Sequence, residues 1–273
     1  MPATFFILLH WKRQQRVFFQ NLAKLTPQPA QGNTDVVHNL RVAIKKLRSY
    51  LKLLALLLNK IDTETRFKKT EQLFSVLGKY RDIEMGFLLL QSFEKENKTT
   101  YTALRVQLKL ALQTTAIWAQ NAFNKYDEKE LADLTCELQL YVKEKNIQEL
   151  CHKTELILDK EFRKLKRLTK HFSSQPHEIR KMLKNIFYWI SICPKDFYIG
   201  ADEIKKLKKS LNLLGDWQDH EMLYMKIKHF RKDFVPAPRQ EYLLLKELEK
   251  NIERKMDAKL QKAKEEIQTF ISV

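Results

Sequence analysis

The sequence predicts an all-α fold, and three observations support this prediction. Apolar residues recur at helical spacing along almost all of the 273-residue chain. The chain contains only five glycines and seven prolines, too few for the many tight turns of a mainly β protein. Hydrophobic residues make up 44% of the chain, which is enough for a packed core and excludes a disordered polymer.

Short polar or proline-containing segments divide the chain into long helical segments. We predict breaks, in chain order, at Pro27–Gly32, near Asp62, near Asn97–Thr100, near Asn146, at Ser173–Pro176, at Pro194–Gly200 and at Pro236–Pro238. No apolar stretch is long enough to span a bilayer, and MPATFFILLHW lacks the charged region and cleavage site of a signal peptide.

The segment from Val36 to Lys60 has the clearest helical pattern. Its apolar residues follow alternating three- and four-residue steps: Val37, Leu40, Ile44, Leu47, Leu51, Leu54 and Leu58. This spacing is typical of a helix that packs lengthwise against its neighbours in a bundle. A basic stripe flanks this seam, one residue away: His38, Arg41, Lys45, Arg48 and Lys52. No acid is interleaved, so we expect a bound anion to relieve the repulsion or the helix to tolerate it.

Two motifs occur twice, in the same order. Leu77–Met85 and Leu214–Met222 share five of nine residues, at an offset of 137. Val37–Lys45 and Pro176–Lys184 share a histidine, an arginine and a lysine, at an offset of 139. We infer an internal duplication, with repeat 1 covering about residues 1–143 and repeat 2 about 146–273. Each repeat would form a bundle of about four helices.

The first of these motifs reads Leu-Gly-x-x-x-Asp. We expect Gly78 and Gly215 to end a helix in each repeat, and Asp82 and Asp219 to cap the helix that follows. An additional role for the two aspartates is to orient nearby basic side chains.

Positive charge is both high and segregated. Fifty lysines and arginines against 33 acids give a net charge of +17. Residues 1–61 contain ten of these basic residues and a single acid, Asp35. Ile179–Lys195 and Ile204–Gly215 contain no acid at all, whereas acids concentrate at Asp127–Glu130 and in the last helical segment. This distribution favours an anion-binding face over a uniformly solvated basic surface.

The cysteines and histidines give no metal-site pattern. Cys136, Cys151 and Cys193 are odd in number and form no CxxC pair, so we expect neither disulfides nor a zinc site, and a cytoplasmic location. His38 and His177 lack the spacing of metal ligands. Two other roles remain open for these histidines, contact with phosphate and structural hydrogen bonding.

At these motifs the sequence resembles the CHAD family, the conserved histidine α-helical domain, over nearly its whole length. The resemblance implies two antiparallel four-helix bundles related by a pseudo-two-fold, with a basic central cavity. It also implies binding of inorganic polyphosphate, possible association with polyphosphate granules, and neither catalysis nor a cofactor. The family motif carries over at His38, Arg41, Lys45, Arg48, His177, Arg180 and Lys184. With neighbouring basic residues, the predicted site adds Lys52, Lys181, Lys205, Lys206, Lys209, Arg13 and Arg81.

The second repeat departs from the family pattern at two positions. Phe187 stands where an arginine is expected, and Gln218 stands where the first repeat has Arg81. The two repeats therefore need not contribute equally to a site.

Two other functions fit parts of the pattern. Nucleic acid is an alternative polyanion, but most aromatic residues fall at seam positions, where core packing explains them better than base stacking. A phosphohydrolase or polyphosphate kinase would need carboxylates that hold Mg²⁺ near the phosphates, and the basic segments are depleted of acids.

Overall fold

The computed structural model describes residues 3–25, 34–58, 62–143, 146–194, 197–237 and 239–271. Over these ranges the chain is helical and contains no strand, which confirms the all-α prediction. The helices are α1 Ala3–Lys24, α2 Thr34–Leu58, α3 Thr63–Arg66, α4 Lys68–Asn97, α5 Thr102–Asn124, α6 Lys129–Lys143, α7 Ile147–Leu168, α8 Pro176–Ile190, α9 Ala201–Phe234 and α10 Gln240–Ile271. A 3₁₀ segment, Thr169–Ser174, joins α7 to α8.

Local chemistry accounts for several of the predicted breaks. Lys98 ends α4 in the left-handed conformation, at φ 51°. The Asn146 side chain caps α7 by accepting a hydrogen bond from the Gln148 backbone N–H at 2.9 Å. Pro176 occupies the first position of α8, where its missing N–H has no helical partner to lose. The break predicted at Pro27–Gly32 lies outside the described residues.

The predicted helix breaks at Gly78 and Gly215 are wrong. Helix α4 passes through Gly78 and α9 passes through Gly215, and each continues for several more turns. Asp82 and Asp219 therefore lie inside these helices and cap neither of them. The intrinsic cost of a glycine in a helix is only about 1 kcal/mol, which packing of so long a helix easily offsets.

The apolar residues of the described helices form two buried clusters. The larger contains the whole predicted seam of α2, together with residues of α1, α6, α7, α8 and the N-terminal part of α9. The smaller joins the C-terminal halves of α4 and α9 to the N-terminal halves of α5 and α10. Both clusters combine helices from the two predicted repeats. Duplication itself stays a prediction of the sequence.

Helices α2 and α8 carry the two copies of the basic motif, and hydrogen bonds hold them side by side. The Trp189 indole N–H donates to the Ser49 carbonyl oxygen at 2.7 Å, and the Ser49 hydroxyl donates to the Asn185 amide oxygen at 3.2 Å. Both Trp189 and Ser49 are buried, so these bonds are shielded from water. The basic residues of the two helices are thereby brought to a common region.

None of the described helices combines the length and the apolar character that a membrane span requires. All three cysteines are free thiols.

Candidate functional site

A cavity of about 640 Å³ lies where α2, α4, α7 and α8 meet, and we call it the α2–α8 cavity. Six of the predicted site residues line it: Lys45, Arg48, Lys52, Arg180, Lys181 and Lys184. Three of them come from each copy of the motif, so the two basic helices do converge on one concavity. An anion that enters it would meet positive charge from two sides.

Arg41 explains the first motif glycine. A Cβ atom on Gly78 would lie 2.7 Å from Nη1 of Arg41, closer than real Cβ contacts allow. In the absence of that atom, the guanidinium lies against α4 and donates to the Phe74 carbonyl oxygen at 2.9 Å. Gly78 is therefore a point of close approach between an arginine and a helix, and this role replaces the predicted helix end.

The second motif repeats this arrangement in a looser form. A Cβ atom on Gly215 would lie 3.7 Å from Nη2 of Arg180, an ordinary contact distance. Asp82 and Asp219 lie one helical turn after their glycines and attract Arg41 and Arg180, respectively. Burial raises the pKa of both carboxyl groups, and the neighbouring arginines oppose that rise. These observations support the second expectation for the aspartates, that they orient basic side chains.

Phe74 packs beneath the basic stripe of α2. Its ring centre lies 4.4 Å from the guanidinium carbon of Arg41 and 4.3 Å from that of Arg48. Such cation–π contacts hold the flat guanidinium groups in place and leave their edges free to donate hydrogen bonds. Phe74, Gly78 and Asp82 are spaced by four residues, so they share one face of α4.

The expectation that no acid relieves the basic stripe is wrong at Arg48. Glu71 reaches across from α4 and forms a two-pronged ion pair with the Arg48 guanidinium. Both side chains remain about 40% exposed, so solvent screens the pair and its contribution to stability is small. The acid that a solvated helix would supply in its own sequence comes here from a neighbouring helix.

The centre of the cluster holds two partly buried lysines with strongly lowered pKa values. The pKa of Lys45 falls to about 8, mainly through burial and then through repulsion by Arg41 and Arg180. The pKa of Lys184 falls to about 7, through burial and then through repulsion by Lys45 and Arg180. Both groups therefore titrate near neutral pH in the free protein.

Arg180 also has an unmet hydrogen-bonding group. Its Nε–H is buried and has no hydrogen-bond partner among the described residues. Leaving a buried donor unpaired costs about 1–3 kcal/mol, and more when the group is charged. A bound anion in the α2–α8 cavity could supply the charge that Lys45 and Lys184 lack nearby.

The cavity also contains two acids that sequence reasoning did not anticipate. Glu178 pairs with Lys181 at 2.7 Å, and Glu161 of α7 pairs with Lys164 at 2.7 Å. The absence of acids expected from the sequence holds for α2 but not for the whole cavity. Among the described residues, no group of three histidines, cysteines or carboxylates could hold a metal ion.

The two motif histidines do not line the α2–α8 cavity. His38 is exposed on α2, and burial of its ring, followed by repulsion from Arg81 and Lys45, lowers its pKa. His177 pairs through Nε2 with Glu221 at 3.0 Å, and its ring centre lies 4.8 Å from that of Trp217. The structure thus gives His177 a structural partner on α9.

The remaining predicted site residues lie elsewhere in the described part of the chain. Arg81 pairs with Glu84 inside its own helix. Lys205 and Lys209 pair with acids on the outer surface, Asp202 and Glu266. Lys206, on the same helix, does not line the cavity either, and Arg13 lines a separate cavity beside α1. The acid-free stretch of α9 therefore faces away from the α2–α8 cavity, which the sequence alone did not indicate.

Comparison with known proteins adds two findings on fold and family. The structure is similar to the crystal structure of the CHAD domain from the plant Ricinus communis, with a TM-score of 0.72 and 14% identity, covering 97% of this chain and 92% of that one. It is also similar to PptA from Streptomyces chartreusis, with a TM-score of 0.68 and 14% identity, covering 96% of this chain and 99% of that one. No protein with a curated description matches the chain. The family model of the CHAD domain matches residues 16–227, well over half of the sequence, and the protein therefore belongs to the CHAD family.

Proposed function

We propose that the protein binds inorganic polyphosphate in the α2–α8 cavity and does not catalyse a reaction on it. One observation carries the proposal: basic residues from both motif copies converge on a single cavity, and the Arg180 Nε–H among them has no partner. The family membership agrees with a polyphosphate-related role.

The chemistry of the ligand matches the side chains that are present. Polyphosphate is a flexible chain of closely spaced negative charges and carries no bases to be read. Arginine donates a fixed fork of hydrogen bonds to phosphate oxygens, and lysine supplies a compact charge that adapts to a moving chain. Phe74 holds two of the arginines in place before any ligand arrives, which reduces the entropy lost on binding.

The carboxylates of the cavity do not favour catalysis. Phosphoryl transfer generally needs acids that are free to hold Mg²⁺ beside the phosphates. Glu178, Glu161 and Glu71 are each engaged by a basic side chain. We therefore place the protein among binding modules, and we propose that it acts in the cytoplasm, where polyphosphate granules are a possible location.

Nucleic acid is the competing polyanion, and the aromatic residues of the cavity disfavour it. Phe74 is covered by guanidinium groups, so its face is not available to a base. Proteins that bind single strands without sequence preference usually present several open aromatic faces in a row.

The test is a titration with polyphosphates of graded length across a salt series, with single-stranded and duplex DNA as comparison ligands. Engagement of all six basic residues of the cavity would give a log–log salt slope of about −4, by analogy with single-stranded nucleic acids. We expect polyphosphate to displace DNA readily and DNA to displace polyphosphate poorly.

A pair of matched double variants locates the site. Lys45→Met with Lys184→Met should weaken polyphosphate binding at least tenfold and reduce the salt slope by about 1.4. Lys205→Met with Lys208→Met removes the same charge from the surface of α9, outside the cavity, and should change binding less than threefold. Equal effects of the two pairs would show that binding follows overall charge and would overturn the assignment to this cavity.

A further inference from the structure

A second cavity of about 460 Å³ lies between α1, α2 and α8, and we call it the α1 cavity. It shares Tyr188 with the α2–α8 cavity, but its other lining residues are different. Its volume falls within the range of small-molecule sites in proteins. The polyphosphate proposal makes no use of this cavity.

The α1 cavity contains three basic residues and no acid. His10 and Arg13 come from α1, and Lys46 comes from the face of α2 that lies away from the first cavity. The pKa of Lys46 is lowered by burial and then by repulsion from Arg13. Burial, Arg13 and Lys46, in that order, likewise lower the pKa of His10. The three groups repel one another, and an anion bound among them would relieve this repulsion.

Aromatic side chains form the opposite wall. Phe187 and Tyr188 line the cavity from α8, with their ring centres 5.9 Å apart and their planes tilted by 54°. Tyr50 of α2 also contributes to the lining and is buried. Phe187 stands where the first motif copy has Arg48, so the second copy presents a ring in place of a cation at this position.

Polar amide groups complete the lining. Asn39 of α2 and Gln14 of α1 both border the cavity, and Gln14 is only 8% exposed. Each amide can donate and accept hydrogen bonds, which suits the mixed edge of a nucleobase better than the acceptor-only surface of a phosphate.

We propose that the α1 cavity binds a nucleotide, with the phosphate groups on Arg13, Lys46 and His10 and the base against Phe187 and Tyr188. A cluster of cations on one wall and rings on the other matches a ligand that carries charge at one end and a flat surface at the other. Stacking on an aromatic side chain is tolerant of base identity, so the proposal concerns nucleotides as a class.

The experiment is calorimetric titration of the full chain with ADP, ATP, adenosine and inorganic tripolyphosphate. ATP should bind at least tenfold more tightly than adenosine, which lacks the phosphates, and than tripolyphosphate, which lacks the ring. Arg13→Met with Lys46→Met should weaken ATP binding at least tenfold and leave long-chain polyphosphate binding within threefold of the wild type. Phe187→Leu should weaken ATP about tenfold and leave tripolyphosphate unchanged.

The variant Lys45→Met with Lys184→Met separates this proposal from the polyphosphate proposal. It should retain ATP binding, whether or not polyphosphate binds to the α2–α8 cavity. Loss of ATP binding in this variant would mean that nucleotides enter the α2–α8 cavity as simple polyanions, and the proposal would be overturned. Tripolyphosphate binding as tight as that of ATP, or no ATP binding at millimolar concentration, would overturn it as well.

Discussion

Replacement of Lys184 by methionine should stabilise the free protein while it weakens anion binding. Lys184 is largely buried beside Lys45 and Arg180, and these surroundings lower its pKa from 10.5 to about 7. A methionine of similar length keeps the packing of the stem and removes the buried charge. The cationic cluster thus lowers folding stability, and the substitution measures by how much.

The magnitude follows from the lowered pKa. Each pKa unit corresponds to about 1.4 kcal/mol, so a charged Lys184 destabilises the folded protein by at most about 5 kcal/mol below pH 7. The side chain keeps some contact with solvent, and we therefore expect Lys184→Met to raise the free energy of unfolding by about 1–3 kcal/mol at pH 6.

The sign of the pH dependence is also fixed. Between pH 7 and pH 10.5 the unfolded chain holds a proton on Lys184 that the folded protein releases. Wild-type stability therefore rises with pH across this window, and the advantage of the methionine variant shrinks. At pH 9 the advantage should be about half of its value at pH 6.

Urea unfolding at pH 6 and pH 9 measures both effects. The matched control is Lys181→Met, one turn earlier on α8, where the lysine side chain is 71% exposed and pairs with Glu178. This control should change stability by less than about 0.5 kcal/mol at either pH. A variant Lys184→Met that is less stable than the wild type at pH 6, or equally stabilised at both pH values, would refute the reasoning.

Three further predictions concern the glycine contact, the second buried cluster and the pH dependence of binding. Gly78→Ala should displace Arg41, cost about 1–2 kcal/mol and weaken polyphosphate binding, whereas Gly86→Ala, whose Cβ would meet nothing closer than 3.7 Å, should be neutral or stabilise by about 1 kcal/mol; equal effects in thermal unfolding would contradict this. Arg231→Met leaves Glu249 unpaired in the smaller cluster and should cost about 3–5 kcal/mol in urea unfolding, and adding Glu249→Leu should recover most of the loss; no recovery would show that packing outweighs charge there. Polyphosphate affinity should fall as the pH rises from 6 to 9, because the two buried lysines with pKa values of about 7 and 8 lose their protons, and calorimetry in two buffers should detect proton uptake at pH 8; affinity independent of pH would exclude these lysines from the site.

The sequence predicted those parts of the fold that depend on local pattern. The seam of α2 is buried along its whole length, because period and apolarity alone determine which face of a helix turns inward. The ends of α4 and the start of α8 were found for the same reason, since a left-handed residue and a proline act on their immediate neighbours.

Features that depend on contact between distant segments escaped prediction. A glycine within a helix looks like a break until the arginine that lies against it is seen, as with Gly78 and Arg41. Glu71 neutralises Arg48 from another helix, so counting acids along α2 overstated the free charge. Phe74 left a usable signal, because it lies one turn before Gly78 on the same face.

The passage of α4 and α9 through their glycines has a consequence for how the molecule comes apart. Each of these helices contributes side chains to both buried clusters, so neither cluster can lose its order without fraying a helix that the other depends on. The boundary between the repeats is thus a feature of ancestry in the sequence rather than a seam in the folded chain. A polypeptide that stopped there would leave half of each interior open to water, and the two halves share a single cooperative fate.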